Sequence, residues 1–435
     1  MEQSKQDEPL LLTTGELGFI TACLNYDLGK ENEGRAERFH ILSNLVEGTR
    51  AIRKEKMKHE KPDRNLLSKL PKCNADLDDA IYECFLMARR GKTDTVDEWN
   101  LEAYWNANLR QLKFDIVHRV WKPSSSKAFV TDKPVYREIF AAQFRDRIVH
   151  HLLYAIVAPW WDKQFIYDSY SCRRNRGTDE GIERMQKFML AVSQSGRRDA
   201  YVLKGDLSGF FMSMKRGTLY KKVMWGLRRQ FPYRGWLYEL CEYLWREVIF
   251  DEPCKGVRRV GALSDWDVLP DSKTLFKQPY SYGIVIGNLT SQLLSNIMLN
   301  EFDWFMKKKL GFKHYGRYVD DFFIVVSASE YEWARQMWFY EVPEKLRSMG
   351  LKMHPKKNYI QPVSHGCPFL GKMVRPFVLM PGKRYLKNMR SAFVGYVEGR
   401  VSYETMQSYV GMGKNMAAYT AMKKVLCDLR DFVLV

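Results

Sequence analysis

The stretch that decides the fold is Tyr318-Val319-Asp320-Asp321, preceded by HYGR at 314–317 and followed by FFIVV at 322–326. Its two adjacent acids interrupt an apolar run of residue types that favour strands. Neighbouring carboxylates among apolar residues repel each other and lose hydration, so their placement is favourable when a cation neutralises them. The pattern predicts a tight hairpin with Asp320 at its tip and a metal ion beside it. An ordinary acidic turn is the alternative, since Asp is common in turns.

A further acid follows a strand-like segment upstream. The segment AYVLKGD at 200–206 is rich in strand-forming residues and ends in Asp206, after which come Phe210 and Phe211. If this strand lies beside the hairpin, Asp206 joins Asp320 and Asp321 in a carboxylate cluster suited to two Mg²⁺ ions about 3.5 to 4 Å apart. A helix cap or strand-end Asp is the alternative for Asp206.

The segment GIVIGNLTSQ at 283–292 is a glycine-bearing loop that leads into an apolar helical stretch. Glycine lets the backbone approach a flat ligand such as a base pair. By itself this loop is a weak signal, and its value lies in its position between Asp206 and the hairpin.

Three motifs in this order along the chain resemble the palm motifs of reverse transcriptases: the strand Asp with an aromatic five residues later, the Gly-x-x-x-Ser loop, and Tyr-x-Asp-Asp. The resemblance covers about residues 130–375. Segments that resemble the fingers and later palm motifs are Arg137-Glu138-Ile139, Phe144-Arg145-Asp146-Arg147, Ser169-Tyr170-Ser171-Cys172-Arg173, LKMHPKKN at 351–358 and Phe369-Leu370-Gly371.

The resemblance implies an α+β right-hand polymerase with an antiparallel palm sheet, helical fingers and a short helical thumb. The expected domains are an N-terminal helical extension at 1–95, fingers at 96–200, a palm at 201–375 with an insertion at 251–280, and a thumb at 376–435. The implied activity is RNA-directed synthesis of DNA by two-metal nucleotidyl transfer, with a template RNA, a DNA product and dNTPs as partners.

Site roles follow from the same resemblance. The catalytic acids are Asp206, Asp320 and Asp321, and with Leu207 they form the site for two Mg²⁺ ions, which Mn²⁺ could replace. The nucleotide-binding residues are Leu207, Phe211, Arg173, Lys204, Ile286, Gly287 and Gln292. Phe211 would lie under the sugar and exclude a 2′-hydroxyl, and Arg173 with Lys204 would contact the triphosphate. Surface salt bridges are the alternative for these two cations.

The segment from Ile286 to Gln292 departs from the Gln-Gly-x-x-x-Ser-Pro form of most relatives. It resembles the reverse transcriptases of diversity-generating retroelements and the related "unknown group", several of which serve in bacterial defence against phage. This implies a dedicated structured non-coding RNA, with an accessory protein or a second copy of the chain, in antiphage defence or sequence diversification. Ile286 would alter fidelity, and Gln292 would cap or pack the helix.

Composition favours a polyanionic partner, either nucleic acid or an anionic membrane, because 69 Lys and Arg against 51 Asp and Glu give a net charge of +18. No apolar run approaches the roughly 20 residues of a spanning helix, and the charged segment from Met1 to Pro9 lacks the core of a secretory signal. A cytoplasmic location without a membrane partner is therefore expected. A catalytically idle nucleic-acid-binding scaffold is the alternative that the basic charge alone would satisfy.

Apolar periodicity predicts an amphipathic helix at 76–90 and another from Tyr136 to Leu153, which would pack on a body and face a polyanion. The basic segment from Arg50 to Arg64 is interpreted as a solvated helix face or a phosphate contact. His150 and His151 are expected to pack or contact phosphate, since no acid or cysteine lies at metal spacing.

Overall fold

The computed structural model describes residues 71, 73–90, 105–131, 136–262, 264–414, 416–419 and 423–424. The chain divides into two compact units. Unit 1 comprises Met1–Pro159, Val223–Pro270 and Val285–Ser291, and unit 2 comprises Trp160–Lys222, Asp271–Ile284 and Gln292–Val435. The basic segment from Arg50 to Arg64 lies outside the described residues. The division into extension, fingers, palm and thumb stays a prediction.

The α-helices of the described residues are α1 (Leu77–Arg89), α2 (Trp105–Val117), α3 (Phe144–Asp162), α4 (Thr178–Val192), α5 (Phe210–Ser213), α6 (Arg216–Gln230), α7 (Trp236–Ile249), α8 (Ser264–Asp267), α9 (Leu289–Trp304), α10 (Tyr331–Phe339), α11 (Glu341–Ser348), α12 (Lys383–Val397) and α13 (Tyr403–Lys414). A π-helical turn, Phe305–Lys309, extends α9, and 3₁₀ turns occupy Asp271–Lys273, Leu275–Lys277, Ala328–Glu330 and Val363–His365. No helix among the described residues has both the length and the apolar character to cross a membrane.

In the part of the chain that the structure describes, the strands are β1 (Lys127–Thr131), β2 (Arg137–Ala141), β3 (Ala200–Gly205), β4 (Arg258–Arg259), β5 (Tyr315–Tyr318), β6 (Asp321–Ser327), β7 (Tyr359–Pro362), β8 (Cys367–Phe369), β9 (Lys372–Val374) and β10 (Leu379–Pro381). Unit 2 contains an antiparallel sheet in the order β5-β6-β3-β7 and a second one in the order β10-β9-β8. In unit 1, β1 pairs with β2 antiparallel and with β4 parallel.

Strand β6 is apolar at every position from 322 to 326 because both faces of its sheet are covered. On one face, Phe323 and Val325 join a core with Met185 of α4. On the other face, the ring of Phe322 packs against Phe302 and Trp338, with both centroid distances at 5.2 Å. Covered faces keep water away from the sheet and leave the acids at its end buried, as Asp206, or half-buried, as Asp320 and Asp321.

The predicted helix from Tyr136 to Leu153 is wrong in its first part. Residues Arg137–Ala141 form strand β2, which pairs with β1 and places Phe129 opposite Ile139. Helix α3 begins only at Phe144. Helical periodicity failed here because a strand partner further back along the chain decides the conformation of this segment.

Other local predictions are confirmed. The helix predicted at 76–90 is α1, the strand predicted at 200–206 is β3, and the apolar helical stretch after the glycine loop is α9. Among the described residues of 251–280, the regular structure is β4, the four-residue α8 and two 3₁₀ turns, in keeping with the predicted loop.

Candidate active site

The hairpin of strands β5 and β6 presents the paired acids at its turn, as the sequence predicts. Tyr318 pairs with Asp321, which leaves Val319 and Asp320 as the turn residues. Val319 has φ of 54°, in the left-handed region. A β-branched residue seldom adopts this conformation, which costs on the order of 1 to 3 kcal/mol unless the surroundings hold it. Asp320 is half-buried beside it.

Strand β3 brings Asp206 to the same end of the sheet. Gly205 pairs with Phe322 in the antiparallel register, so Asp206 comes next to Asp321 across the two strands. Burial raises the pKa of Asp321, Lys204 lowers it and the Asp206 carboxylate raises it, and the pKa stays above the ordinary range of an aspartate. The two acids therefore interact although they lie far apart along the chain.

Each of these two acids has a lysine partner. Lys204 Nζ lies 2.6 Å from Asp321 Oδ1, and Lys357 Nζ lies 3.0 Å from Asp206 Oδ2. Lys204 is buried, whereas half of the Lys357 side chain is exposed. The two ammonium groups offset the repulsion that adjacent buried carboxylates would otherwise suffer.

The segment at 351–358 lies beside Asp206 through its backbone. The His354 amide donates to the Asp206 carbonyl at 2.7 Å, and the Ser208 amide donates to the Lys352 carbonyl at 2.9 Å. Leu207 forms an isolated antiparallel bridge with Met353 and is buried. This pairing prolongs the sheet past the end of β3 and places Lys357 near the acids.

Gly205 is the residue that lets Asp206 approach the hairpin so closely. A Cβ at this position would lie 2.8 Å from Phe322 Cζ and 3.1 Å from Trp338 Cζ2. Real Cβ contacts are longer, so an alanine would push these rings or the strand away. Close packing, in addition to backbone flexibility, therefore explains why a glycine precedes Asp206.

The donor set at this edge of the sheet suits Mg²⁺, which prefers carboxylate and carbonyl oxygens. Asp206 and Asp321 lie together and Asp320 occupies the adjoining turn. Within the described ranges, no group of three or more His, Cys, Asp or Glu is arranged to hold a metal ion. The three-acid metal cluster therefore stays a prediction, and a cation here would compete with the two lysines.

Phe211 follows Asp206 on the one-turn helix α5 and is half-buried. Gly209 precedes this helix with φ of 54°, and a Cβ there would lie 2.8 Å from the Ser272 carbonyl oxygen. The Phe211 carbonyl accepts a hydrogen bond from the Ile284 amide at 3.1 Å. The backbone around Phe211 is thereby held in place, and its contact with a nucleotide sugar stays a prediction.

The side chain of Arg173 is 6% exposed, and four of its five N–H groups donate within unit 2. Nε lies 2.5 Å from Asp162 Oδ1, and Nη2 lies 3.1 Å from the Asp162 carbonyl oxygen. Nη1 donates to the carbonyls of Ile166 and Ser169 at 2.7 and 2.9 Å. These bonds order the loop before α4. A contact with triphosphate stays a prediction, and it would require the guanidinium to release some of these partners.

The glycine loop supports strand β2 in unit 1. The Ile286 carbonyl accepts a hydrogen bond from the Phe140 amide at 2.9 Å. Gly287 has φ of 131°, and a Cβ there would lie 2.5 Å from the Phe140 carbonyl oxygen. Glycine is therefore required by close backbone contact with β2. Gln292 is exposed on α9 in unit 2, and the nucleotide contacts of all three residues stay predictions.

Sequence reasoning missed the residues that support the hairpin from within. Arg317 and Asp303 are both fully buried and form an ion pair with an Nη2–Oδ2 distance of 2.7 Å. The signal that points to Arg317 is its place in an apolar strand, two positions before the turn. A charged side chain in such a strand requires a buried partner.

Comparisons with known proteins place a large part of this chain in one family. Residues 130–374 match the family described as "Reverse transcriptase (RNA-dependent DNA polymerase)", which is more than half of the chain. Protein YkfC of Escherichia coli strain K12 is 24% identical over 218 residues, which cover 50% of this chain and 50% of that protein. The chain thus spans about half the length of this curated relative.

Among solved structures, telomerase from Candida albicans in complex with a fragment of telomeric RNA is similar with a TM-score of 0.41 and 12% identity, over 63% of this chain and 51% of that one. Apo telomerase from Candida tropicalis has a TM-score of 0.41 and 11% identity, over 66% and 56% of the two chains. These scores are too low to support a conclusion. The family match rests on its length and on the region it covers, which contains β3, α9 and the β5–β6 hairpin, and this chain belongs to the reverse transcriptase (RNA-dependent DNA polymerase) family.

Proposed function

We propose that this chain is an RNA-directed DNA polymerase that copies an RNA template into DNA from dNTPs. The observation that carries the proposal is the meeting of Asp206 and Asp321 at one end of an antiparallel sheet, next to Asp320 in the turn. All three acids fall within the stretch that matches the family. A two-metal site built on carboxylates is the arrangement that nucleotidyl transfer uses.

Asp206, Asp320 and Asp321 would hold the divalent ions that reverse transcriptases generally use, together with the backbone at Leu207. When bound, such ions supply activation of the primer hydroxyl and stabilisation of charge on the leaving pyrophosphate. Lys204 and Lys357 would offset the negative charge of the two carboxylates before the ions arrive, because each ammonium lies within 3.0 Å of a carboxylate oxygen. Lys357 is half-exposed and so can turn towards a phosphate.

Phe211 would select deoxynucleotides by occupying the space that a 2′-hydroxyl needs. Its helix begins four residues after Asp206, and the backbone bond from Ile284 fixes its position. The net charge of +18 supports a nucleic-acid partner, since phosphate neutralisation supplies most of the affinity for a polyanion.

We also propose a more specific biological role for this polymerase. The form of the segment from Ile286 to Gln292 supports an enzyme of the diversity-generating-retroelement or defence-associated type. Such an enzyme would use a dedicated non-coding RNA, in antiphage defence or sequence diversification, with an accessory protein or a second copy of the chain. Sequencing the RNA that copurifies with the protein tests this role, and a random sample of cellular RNA would contradict it.

Primer extension on an RNA template tests the proposed activity. The wild-type protein with Mg²⁺ and dNTPs should extend the primer, and Asp320→Asn should reduce extension by at least about a thousandfold, because several kcal/mol of metal-dependent stabilisation are lost. Asp267→Asn is the matched control, since it removes an exposed acid of α8 in unit 1. Equal extension by the wild type and Asp320→Asn would refute the assignment and favour a catalytically idle scaffold.

A further inference from the structure

The turn of the hairpin that carries the paired acids holds an unfavourable backbone conformation. Val319 has φ of 54°, and its side chain is β-branched. Few residues of this type adopt the left-handed region without help from their surroundings. The peptide groups on both sides of Val319 are each held by one hydrogen bond. Its amide donates to Ser171 Oγ at 3.2 Å, and its carbonyl accepts from Arg317 Nη1 at 2.9 Å.

Arg317 is rigid at this position because all five of its N–H groups have acceptors. Nε and Nη2 donate to the two carboxylate oxygens of Asp303, both at 2.7 Å. Nη2 also donates to Ser169 Oγ at 3.1 Å, and Nη1 donates to Asn296 Oδ1 at 3.3 Å in addition to Val319. The side chain is fully buried. A planar guanidinium with no spare donor and no exposure has one orientation.

Ser171 is held equally firmly on the other side of the turn. Its hydroxyl donates to Asn296 Oδ1 at 3.2 Å, and Asn296 Nδ2 donates back to the Ser171 carbonyl at 2.8 Å. The hydroxyl proton is used in the bond to Asn296, so a lone pair of Ser171 Oγ can accept from the Val319 amide. Ser171, Asn296 and Arg317 are all buried, and one closed network joins the segment 169–171, helix α9 and the hairpin.

We propose that Ser171 and Arg317 are positioning residues, which hold Val319 in its left-handed conformation and so set the place of Asp320 and Asp321. Both residues act on the backbone immediately before the paired acids, and neither is assigned to the metal or the nucleotide. The consequence for catalysis rests on the proposed polymerase function. The consequence for the hairpin does not, because it concerns the conformation of the protein alone.

The distinguishing variant is Ser171→Ala, which removes the acceptor of the Val319 amide and leaves the rest of the turn in place. We expect hydrogen exchange at the Val319 amide to accelerate by at least about tenfold, since local opening of the turn becomes easier. We expect kcat for primer extension to fall about 10- to 100-fold, as misplacement of reacting groups costs this much. The KM for dNTP should stay within about twofold, because nucleotide contacts are retained.

A second substitution serves as a rescue. Glycine adopts positive φ without a steric penalty. The double variant Ser171→Ala/Val319→Gly should therefore keep the turn in its conformation without the serine. Its log kcat should recover at least about half of the decrease that Ser171→Ala causes. Val325→Ala is the control for stability, because it removes buried volume from the same strand away from the turn. In this variant, amide hydrogen exchange should accelerate throughout the sheet rather than specifically at the Val319 amide, and kcat should be unchanged.

Unchanged exchange at the Val319 amide in Ser171→Ala would overturn the proposal, as would a loss of kcat that Val319→Gly does not restore. Exchange that rises equally across the whole sheet would also overturn it, because that outcome indicates a general loss of stability. If the wild-type protein shows no primer extension, the proposed function fails, and the exchange measurement on the same variants still decides whether Ser171 holds the turn.

Discussion

Lys204 donates to Asp321 across neighbouring strands of the antiparallel sheet, with 2.6 Å between Nζ and Oδ1, although 117 positions separate the two residues in sequence. Burial and the Asp206 carboxylate raise the pKa of Asp321, whereas Lys204 lowers it. The lysine therefore favours the ionised form of Asp321, against the effects of burial and of the Asp206 carboxylate.

Replacing Lys204 with methionine should move the acidic limb of the pH–rate profile to higher pH. Removal of the ammonium raises the pKa of Asp321, and its ionised form, which a metal ion requires, then exists only at higher pH. Primer extension measured between pH 5.5 and 9 checks this, with roughly tenfold lower activity in the variant near the acidic end. Lys204→Arg retains the charge and is the control. An unmoved acidic limb in Lys204→Met would show that Asp321 does not limit the rate.

Replacing Phe211 with valine should admit ribonucleotides. If the ring occupies the space of the 2′-hydroxyl, its truncation should lower the discrimination between dNTP and rNTP in kcat/KM by about 10- to 100-fold. Single-nucleotide incorporation with matched dNTP and rNTP measures this ratio. Phe211→Tyr retains the ring and should retain the discrimination. A ratio unchanged in the valine variant would place Phe211 away from the sugar.

Replacing Gly205 with alanine should destabilise unit 2. The added Cβ would lie 2.8 Å from Phe322 Cζ, so the covered face of the sheet must shift, at a cost of about 1 to 3 kcal/mol in the free energy of unfolding. Chemical denaturation measures this change. Gly217→Ala is the matched control, because nothing lies within 4 Å of its Cβ position in α6. That control should stabilise the helix by up to about 1 kcal/mol, and equal stability of the two variants would contradict the packing argument.

Two histidines of α3 should make the free energy of unfolding depend on pH. Burial lowers the pKa of His150 to about 3 and that of His151 to about 4, and Arg147 contributes to both shifts. His150 Nδ1 also lies 2.9 Å from Thr290 Oγ1, so the ring is packed as expected. Below pH 6.5, the ordinary value of histidine, the unfolded chain binds protons that the folded chain does not. Stability should therefore fall as the pH drops from 6.5 towards these lower values, by up to about 1.4 kcal/mol per pH unit for each group.

The variants His150→Asn and His150→Asn/His151→Asn test this dependence. The slope of the unfolding free energy against pH between 4.5 and 6 gives the number of protons that the unfolded chain binds in excess of the folded chain. This number should be smaller by about one in the first variant and by about two in the second. Urea denaturation at several pH values measures the slope. A slope that is the same in all three proteins would show that these groups titrate alike in the folded and unfolded chain.

Much of the local structure could be predicted from sequence because it depends on neighbours in the chain. The hairpin, the strand before Asp206 and helix α1 follow from residue types and their spacing over short windows. The prediction from Tyr136 to Leu153 failed at β2 for the opposite reason. A helical pattern in that segment is overridden by pairing with β1 and by the Ile286 carbonyl that receives the Phe140 amide.

The sequence by itself determined which acids are present, their order along the chain and the hairpin that carries two of them. Only the tertiary structure decided their partners, because the register of β3 against β6 brings Lys204 to Asp321, and the pairing beyond β3 brings Lys357 to Asp206 across 151 positions. The buried network behind Val319 is likewise a product of packing. Hydrogen bonds between distant segments depend on the strand register, which is set by the packing of both faces of the sheet. A short window of sequence does not specify that register.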